Sequence, residues 1–401
     1  MSVTSGPDTL ERLVARFDSE LFWPMRTGAR VRLCVTDVPP ATSEHDVMFE
    51  GDRAFLVPST GRPDAVITAD ASTWVRVLCD VRGGLEAFHE GRLTVRRDLH
   101  LGVGFLAATA AAGETEPGQG APGLHFAQVP TAAGEISINE AGSGPAVILI
   151  HGLGATKVSL LPTLAALAGE GRRAIALDLP GFGDSDKPIR AAYHAPYFAR
   201  SVVALMDALG IDRADLVGNS LGGRVAIEVG LRFPERAARL GLLAPSLAWL
   251  RGRPWAPLLR LVSPQLGLLQ PAPRPLVEAI VHAAVGIGDG STDQWTSAGV
   301  DEFLRSYLTP RGRAAFYAAA RNIYLEPPHG PHGLWTRLPA LRAPSLFVWG
   351  RRDALVPIGF QAHVRRALPA AEHAELDCGH VPQLERPGET HRVLARFLSD
   401  G

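Results

Sequence analysis

Ser220 stands in Gly218-Asn219-Ser220-Leu221-Gly222-Gly223, between the apolar run Ala214 to Val217 and a helical pattern from Arg224 to Phe233. Strand, tight turn and helix form the setting in which G-x-S-x-G exposes a serine as a nucleophile. The neighbouring glycines remove collisions on a turn so sharp that the nucleophile's own backbone is strained. At the start of a helix, a serine also sits where backbone N–H groups favour a developing negative charge.

A serine hydroxyl attacks well only when a base takes its proton and a third group orients that base. His380, in Asp377-Cys378-Gly379-His380-Val381-Pro382, is the candidate base. Asp353, in Trp349-Gly350-Arg351-Arg352-Asp353, is the candidate acid, with Asp377 as its rival. The order Ser220, Asp353, His380 is the chain order expected when the serine lies on an open α/β sheet. His151-Gly152-Leu153-Gly154 follows the apolar run Ala146 to Ile150, so the backbone N–H groups of Leu153 and Leu221 are the expected oxyanion donors. His151 is read as holding that loop's shape.

This chemistry needs no cofactor and no metal. Gly169 to Ala174 fits G-x-G-x-x-A but precedes a strand instead of following one. His329 and His332 lie in EPPHGPHG, where no helix puts both on one face, and no Cys or His cluster completes a zinc site. Cys378 lacks an elbow and a base of its own, so it reads as a packed residue.

The elements that must position these groups follow from the pattern of apolar runs. Ala146 to Ile150, Arg173 to Leu179, Ala214 to Val217, Leu240 to Leu243 and Ser345 to Trp349 alternate with helical stretches, which predicts a mostly parallel sheet covered on both faces. Ligands bind such sheets at the strand C-termini, where all the candidate residues fall. Roughly a hundred residues separate Ala244 from Ser345, far more than one connecting helix needs. A helical cap over about residues 246–335 is expected, with Trp249, Leu258, Leu261, Leu266, Tyr307 and Tyr317 on an apolar underside that lines the pocket.

Residues 1–112 have a different character. Helices are predicted over Leu10 to Leu21, Ala71 to Leu78, Leu85 to His89 and His100 to Ala112, and strands over Ala29 to Val38, Asp46 to Val57, Asp64 to Thr68 and Arg92 to Arg96. This is an α+β domain. Residues 113–123, rich in Gly and Pro with nothing to bury, read as a linker to a second domain over 124–401. Every candidate site residue lies beyond that linker, so a chain beginning near Ala121 is expected to fold and turn over by itself.

Composition narrows the partners. A formal net charge of −1 over 401 residues gives no electrostatic footprint for nucleic acid or anionic membrane. Three scattered cysteines fit no disulfide framework, and no run reaches the ~20 apolar residues of a spanning helix. The expectation is a cytoplasmic protein without stable membrane insertion, acting on a small hydrophobic molecule such as a lipid or acyl chain. Oligomeric state stays open.

From Gly123 onward the chain resembles the α/β-hydrolases. HGLG, LDLPGFGDSDKP (Leu177 to Pro188), GNSLGG, WGRRDALVP (Trp349 to Pro357) and CGHVPQLERP (Cys378 to Pro387) match that family in order. The resemblance implies an eight-stranded, mostly parallel sheet, a cap after the sixth strand and a Ser-His-Asp triad. A serine at the elbow departs from the haloalkane dehalogenase and epoxide hydrolase branches, whose nucleophile is a carboxylate. Over about residues 8–112 the chain resembles the sterol-carrier-protein family, through DAVITADASTW (Asp64 to Trp74) and GGLEAFHEGRLTVRRD (Gly83 to Asp98). That resemblance implies five strands, flanking helices and an apolar tunnel.

The expected activity is hydrolysis of a hydrophobic carboxylic ester through an acyl-enzyme. A C–C hydrolase of the meta-cleavage type is the alternative, since GNSLGG resembles that branch too. Cofactor-free perhydrolysis and a non-catalytic lipid-binding protein are further rivals.

Overall fold

The computed structural model describes residues 6–24, 27–37, 43–79, 84–85, 87–88, 90–109, 124–250, 254, 256–261, 263–268, 275 and 293–399. The expected linker and part of the expected cap lie outside them. Contacts divide the chain into two compact units: residues 1–127, 139–142 and 288–305 form the first, and residues 128–138, 143–287 and 306–401 the second.

In the first unit, helix α1 (Gly6–Val14) precedes strands β1 (Arg30–Val35), β2 (Ser43–Glu50), β3 (Arg53–Pro58) and β4 (Ala65–Ala69), followed by helix α2 (Ala71–Cys79), strand β5 (Leu93–Arg96) and helix α3 (Leu99–Thr109). The sheet order is β3-β2-β1-β4-β5, antiparallel except for the β1–β4 pair. Ala65, Ile67 and Ala69 alternate inward along β4, as a half-buried strand requires. Two expectations change. The stretch expected as one strand over Asp46 to Val57 is a hairpin, because Gly51 adopts φ +63° and reverses the chain between β2 and β3. The first helix stops at Val14 instead of Leu21, because the chain beyond it turns to pack Phe17 on Phe49 and Phe105, while Asp18 N–H donates to Ala108 O.

Residues 288–305 were expected to belong to the cap, yet they pack in the first unit. They carry most of helix α8 (Asp293–Tyr307). Trp295 is buried and meets Phe88 edge-on at 4.8 Å. Asp301 accepts from Arg96 Nε at 2.7 Å and from the Arg97 N–H at 2.9 Å, which satisfies a backbone held at φ +75°.

The second unit is built on an eight-stranded sheet ordered β13-β12-β11-β10-β8-β9-β7-β6. Its strands are β6 (His125–Thr131), β7 (Gly134–Ala141), β8 (Ala146–Ile150), β9 (Arg173–Leu177), β10 (Ala214–Asn219), β11 (Ala237–Leu243), β12 (Ser345–Gly350) and β13 (Glu372–Leu376). Pairings among β8 to β13 are parallel. The central strands read as continuous apolar runs because both faces are covered: every residue of β10 and β12 is buried. Helices α4 (Leu161–Gly169), α5 (Ala195–Ala208), α6 (Leu221–Arg232), α11 (Phe360–Ala367) and α13 (Pro387–Ser399) accompany the sheet.

Between β11 and β12 lie α7 (Ala256–Leu261), α8, α9 (Pro310–Leu325) and the short α10 (Leu334–Arg337), the insertion after the sixth strand of this sheet. Trp249, Leu258, Leu261 and Leu266 are exposed, Leu261 to 84%. Tyr307 and Tyr317 instead meet each other, their hydroxyls 2.7 Å apart.

Candidate active site

β10 ends at Asn219 and α6 begins at Leu221, so Ser220 alone makes the turn, at φ 52° and ψ −115°. A side chain tolerates this poorly, and the strain persists because the surroundings fix it. Ser220 N–H donates to Leu243 O at 3.0 Å, and Ser220 O accepts from Arg224 and Ser246 at 3.0 and 2.8 Å. Glycine is required here by contact: a Cβ on Gly223 would sit 2.8 Å from that of Pro245.

His380 follows β13. Its Nδ1 lies 2.8 Å from Asp353 Oδ2, whose side chain is fully buried in the loop after β12. The other carboxylate oxygen accepts from the N–H groups of Leu355 and Val356 at 2.8 and 2.9 Å. The carboxylate is thereby held with one oxygen fixed and the other aimed at the imidazole. Asp377, the rival acid, is 65% exposed and pairs with Arg352 and Arg386 instead.

Ser220 Oγ makes no hydrogen bond to the His380 ring among the described residues; such bonds are often long until substrate is present. What joins the two loops is Asn219. Its buried amide donates to Leu243 O and to His380 O, both at 3.1 Å. Glu385, in α12 (Pro382–Glu385), accepts from the N–H groups on either side of His380, Gly379 at 2.6 Å and Val381 at 3.0 Å. Neither residue stood out in the sequence as a site residue, although both lie inside the quoted motifs.

The loop carrying Leu153 runs beside the elbow: a Cβ on Gly152 would be 3.3 Å from Ser220 Cβ. Leu221 is the first residue of α6. His151 is buried with its Nε2 accepting the Leu179 N–H at 3.0 Å, which puts its proton on Nδ1, 2.7 Å from Gly152 O. Burial keeps this imidazole neutral by pushing its pKa down. Leu179 was expected to end a strand, but β9 stops at Leu177 and frees the Leu179 N–H for this bond. Cys378 is buried, and burial followed by the Glu385 and Asp353 carboxylates pushes its thiol up to about 12, far from a reactive thiolate. Among the described residues no group of three or more His, Cys, Asp or Glu could hold a metal ion, and no helix is long and apolar enough to cross a membrane.

Comparison with known proteins agrees with this architecture. The sequence profile of the alpha/beta hydrolase fold matches residues 145–387. A 2-hydroxy-6-oxo-6-phenylhexa-2,4-dienoate hydrolase of Burkholderia cepacia is 31% identical over 282 residues, covering 66% of this chain and 92% of that protein. A 2-hydroxy-6-oxononadienedioate/2-hydroxy-6-oxononatrienedioate hydrolase of Paraburkholderia phymatum is 30% identical over 270 residues, covering 66% and 90%. Among solved structures, a membrane phospholipase A described as a bacterial virulence factor shares 29% identity at a TM-score of 0.51, covering 69% of this chain and 86% of its own. An elbow serine on a parallel sheet, an insertion after the sixth strand and a profile spanning more than half the sequence place the chain in the α/β-hydrolase fold family.

Proposed function

We propose that the protein is a serine hydrolase that cleaves a C–C bond in a vinylogous diketone of the meta-cleavage type, through Ser220, His380 and Asp353. The contact that carries the triad is the 2.8 Å approach of Asp353 Oδ2 to His380 Nδ1 at the strand ends beside Ser220. The substrate class rests on the dienoate and dienedioate hydrolases at 30–31% identity over nine-tenths of their length. Ester hydrolysis, the first expectation from the sequence, becomes the second reading. It is favoured by the 29% identity to a phospholipase A.

Both reactions begin alike. His380 takes the Ser220 proton as Oγ attacks the carbonyl carbon, and the N–H groups of Leu153 and Leu221 receive the charge on its oxygen. Asp353 holds the imidazole tautomer and stabilises the imidazolium. Collapse of the tetrahedral intermediate breaks the bond to the leaving group, either an alkoxide or a carbanion that departs only when conjugation spreads its charge as a dienolate, and in both cases the leaving group takes the His380 proton and returns the imidazole to its neutral form. Water, activated by His380, then releases the acid from Ser220.

For the first unit the proposal is a sterol-carrier-like, lipid-binding domain over residues 1–112, joined through 113–123 to the hydrolase domain. Its five-stranded sheet, antiparallel but for one pair and flanked by helices, supports this reading. A cytoplasmic location and a small hydrophobic substrate belong to the same proposal.

Assaying 2-hydroxy-6-oxo-6-phenylhexa-2,4-dienoate beside p-nitrophenyl esters of graded chain length decides between the chemistries. A kcat/KM at least tenfold higher on the dienoate is expected. The reverse ranking establishes the ester reading, and turnover that survives Ser220→Ala overturns both.

A further inference from the structure

Lys157 is one of only two lysines in a chain with 40 basic residues, and it is fully buried. Its Nζ lies 2.6 Å from Asp178 Oδ2 and 3.3 Å from Asp184 Oδ2. Its own N–H donates to Asp178 Oδ1 at 2.7 Å, and the Asp184 N–H donates to Asp178 Oδ2 at 2.9 Å. Burial opposes ionisation of Asp178, but the Lys157 ammonium together with the Asp184 N–H and the other groups around it holds the carboxyl below its ordinary range. Even when fully hydrogen-bonded, a buried ion pair is weak evidence for stability, so its place in the fold is the better guide to what it does.

Its location suggests what. The loop that contains Leu153 is fastened to residues 178–185 at both ends: at His151, through the Leu179 N–H, and at Lys157, through Asp178. Between these two ties lie Gly152, packed against Ser220, and Leu153. A guanidinium, with its broad planar fork, does not replace a compact ammonium in so closed a site.

We propose that Lys157, with Asp178 and Asp184, is a positioning group for the oxyanion hole, fixing the loop so that the Leu153 N–H meets the oxygen on which charge develops. The inference rests on the assignment of Leu153 as an oxyanion donor. The loop must be rigid before substrate arrives, because a donor that reorganises during attack loses most of its effect.

The test uses the full chain and a fluorophosphonate, which is attacked by Ser220 and carries charge on the same kind of oxygen. Lys157→Met combined with Asp178→Asn removes both charges of the 2.6 Å pair together and takes the ammonium from Asp184, whose side chain reaches water. The rate constant for inactivation, kinact, should fall by about 10–100-fold while the initial binding constant KI stays within twofold, because one poorly placed donor weakens only the transition state. Asp184→Asn, which keeps the main pair, should lower kinact by a smaller factor, about 3–10-fold. A folded double variant with kinact unchanged, or one in which KI alone weakens, overturns the proposal. If the double variant does not fold, Asp184→Asn decides: unchanged kinact overturns it equally. Labelling that persists in Ser220→Ala instead removes the nucleophile assignment, an outcome separate from any result at Lys157.

Discussion

Asn219 donates one hydrogen bond to His380 O across 161 residues of sequence and another to Leu243 O at the end of β11. The residue immediately before Ser220 therefore holds the loop of His380. Asn219→Ala should remove the amide's bond to His380 O and loosen that loop, while Leu243 O keeps the Ser220 N–H. A fall in kcat of about 10–100-fold with little change in KM is expected, because small misplacements of a catalytic group act on the chemical step. Steady-state kinetics on an activated ester check it, and an effect confined to KM counts against this role.

Ser220→Ala and His380→Ala should each lower kcat by about 10⁴–10⁶, and together little more than either alone, since triad members act as a unit. A fluorophosphonate should label one site, and peptide mapping should find it at Ser220.

Asp353→Asn should lower turnover by on the order of 10⁴ by favouring the wrong imidazole tautomer while leaving the fold intact. Asp377→Asn, at an exposed carboxylate paired only with arginines, should have little effect. The opposite ranking would transfer the acid role to Asp377.

Burial holds His391, beside Thr163 Oγ1, at a pKa of about 4. Between that value and the ordinary 6.5 the unfolded chain takes up a proton that the folded one refuses, so stability falls as pH drops from about 6.5 to about 4. The contribution is on the order of 1–3 kcal/mol. Thermal unfolding across this range should show the decline, and His391→Gln should flatten it.

Asp301→Ala removes the partner of Arg96 and of the strained Arg97 N–H. The first unit should lose roughly 1–3 kcal/mol. Urea unfolding followed by tryptophan fluorescence would measure the loss. Stability within 0.5 kcal/mol, about the spread of neutral surface changes, would mean that these bonds only decorate the contact.

The Ser220 elbow was readable because its requirement is local: two glycines and a serine between a buried run and a helix leave no other comfortable geometry. Asp353 was readable because it follows β12 at the sheet edge where ligands bind, and His380 because it follows β13 there. The supports were not. Asn219, Glu385 and Lys157 matter through partners that are distant in sequence or are backbone atoms, and neither leaves a periodic signature. The hairpin at Gly51 was missed because alternation continues on both sides of the turn. The exposure of Leu261 was not readable either, because hydrophobicity alone does not distinguish a buried leucine from an exposed one.

The membership of residues 288–305 in the first unit bears on how the chain is made. A unit whose sequence runs to residue 127, includes residues 139–142 and resumes about 145 residues after them cannot finish folding as it leaves the ribosome. Trp295 and Asp301 reach Phe88 and Arg97 only after most of the hydrolase sheet has been synthesised, so Phe88 waits uncovered through that interval. Loop closure of this length adds only a few kcal/mol of entropy, but it places the pairing among the slow, non-local events of folding. A nascent chain stalled before residue 293 should be far more sensitive to protease in its first hundred residues than the completed protein.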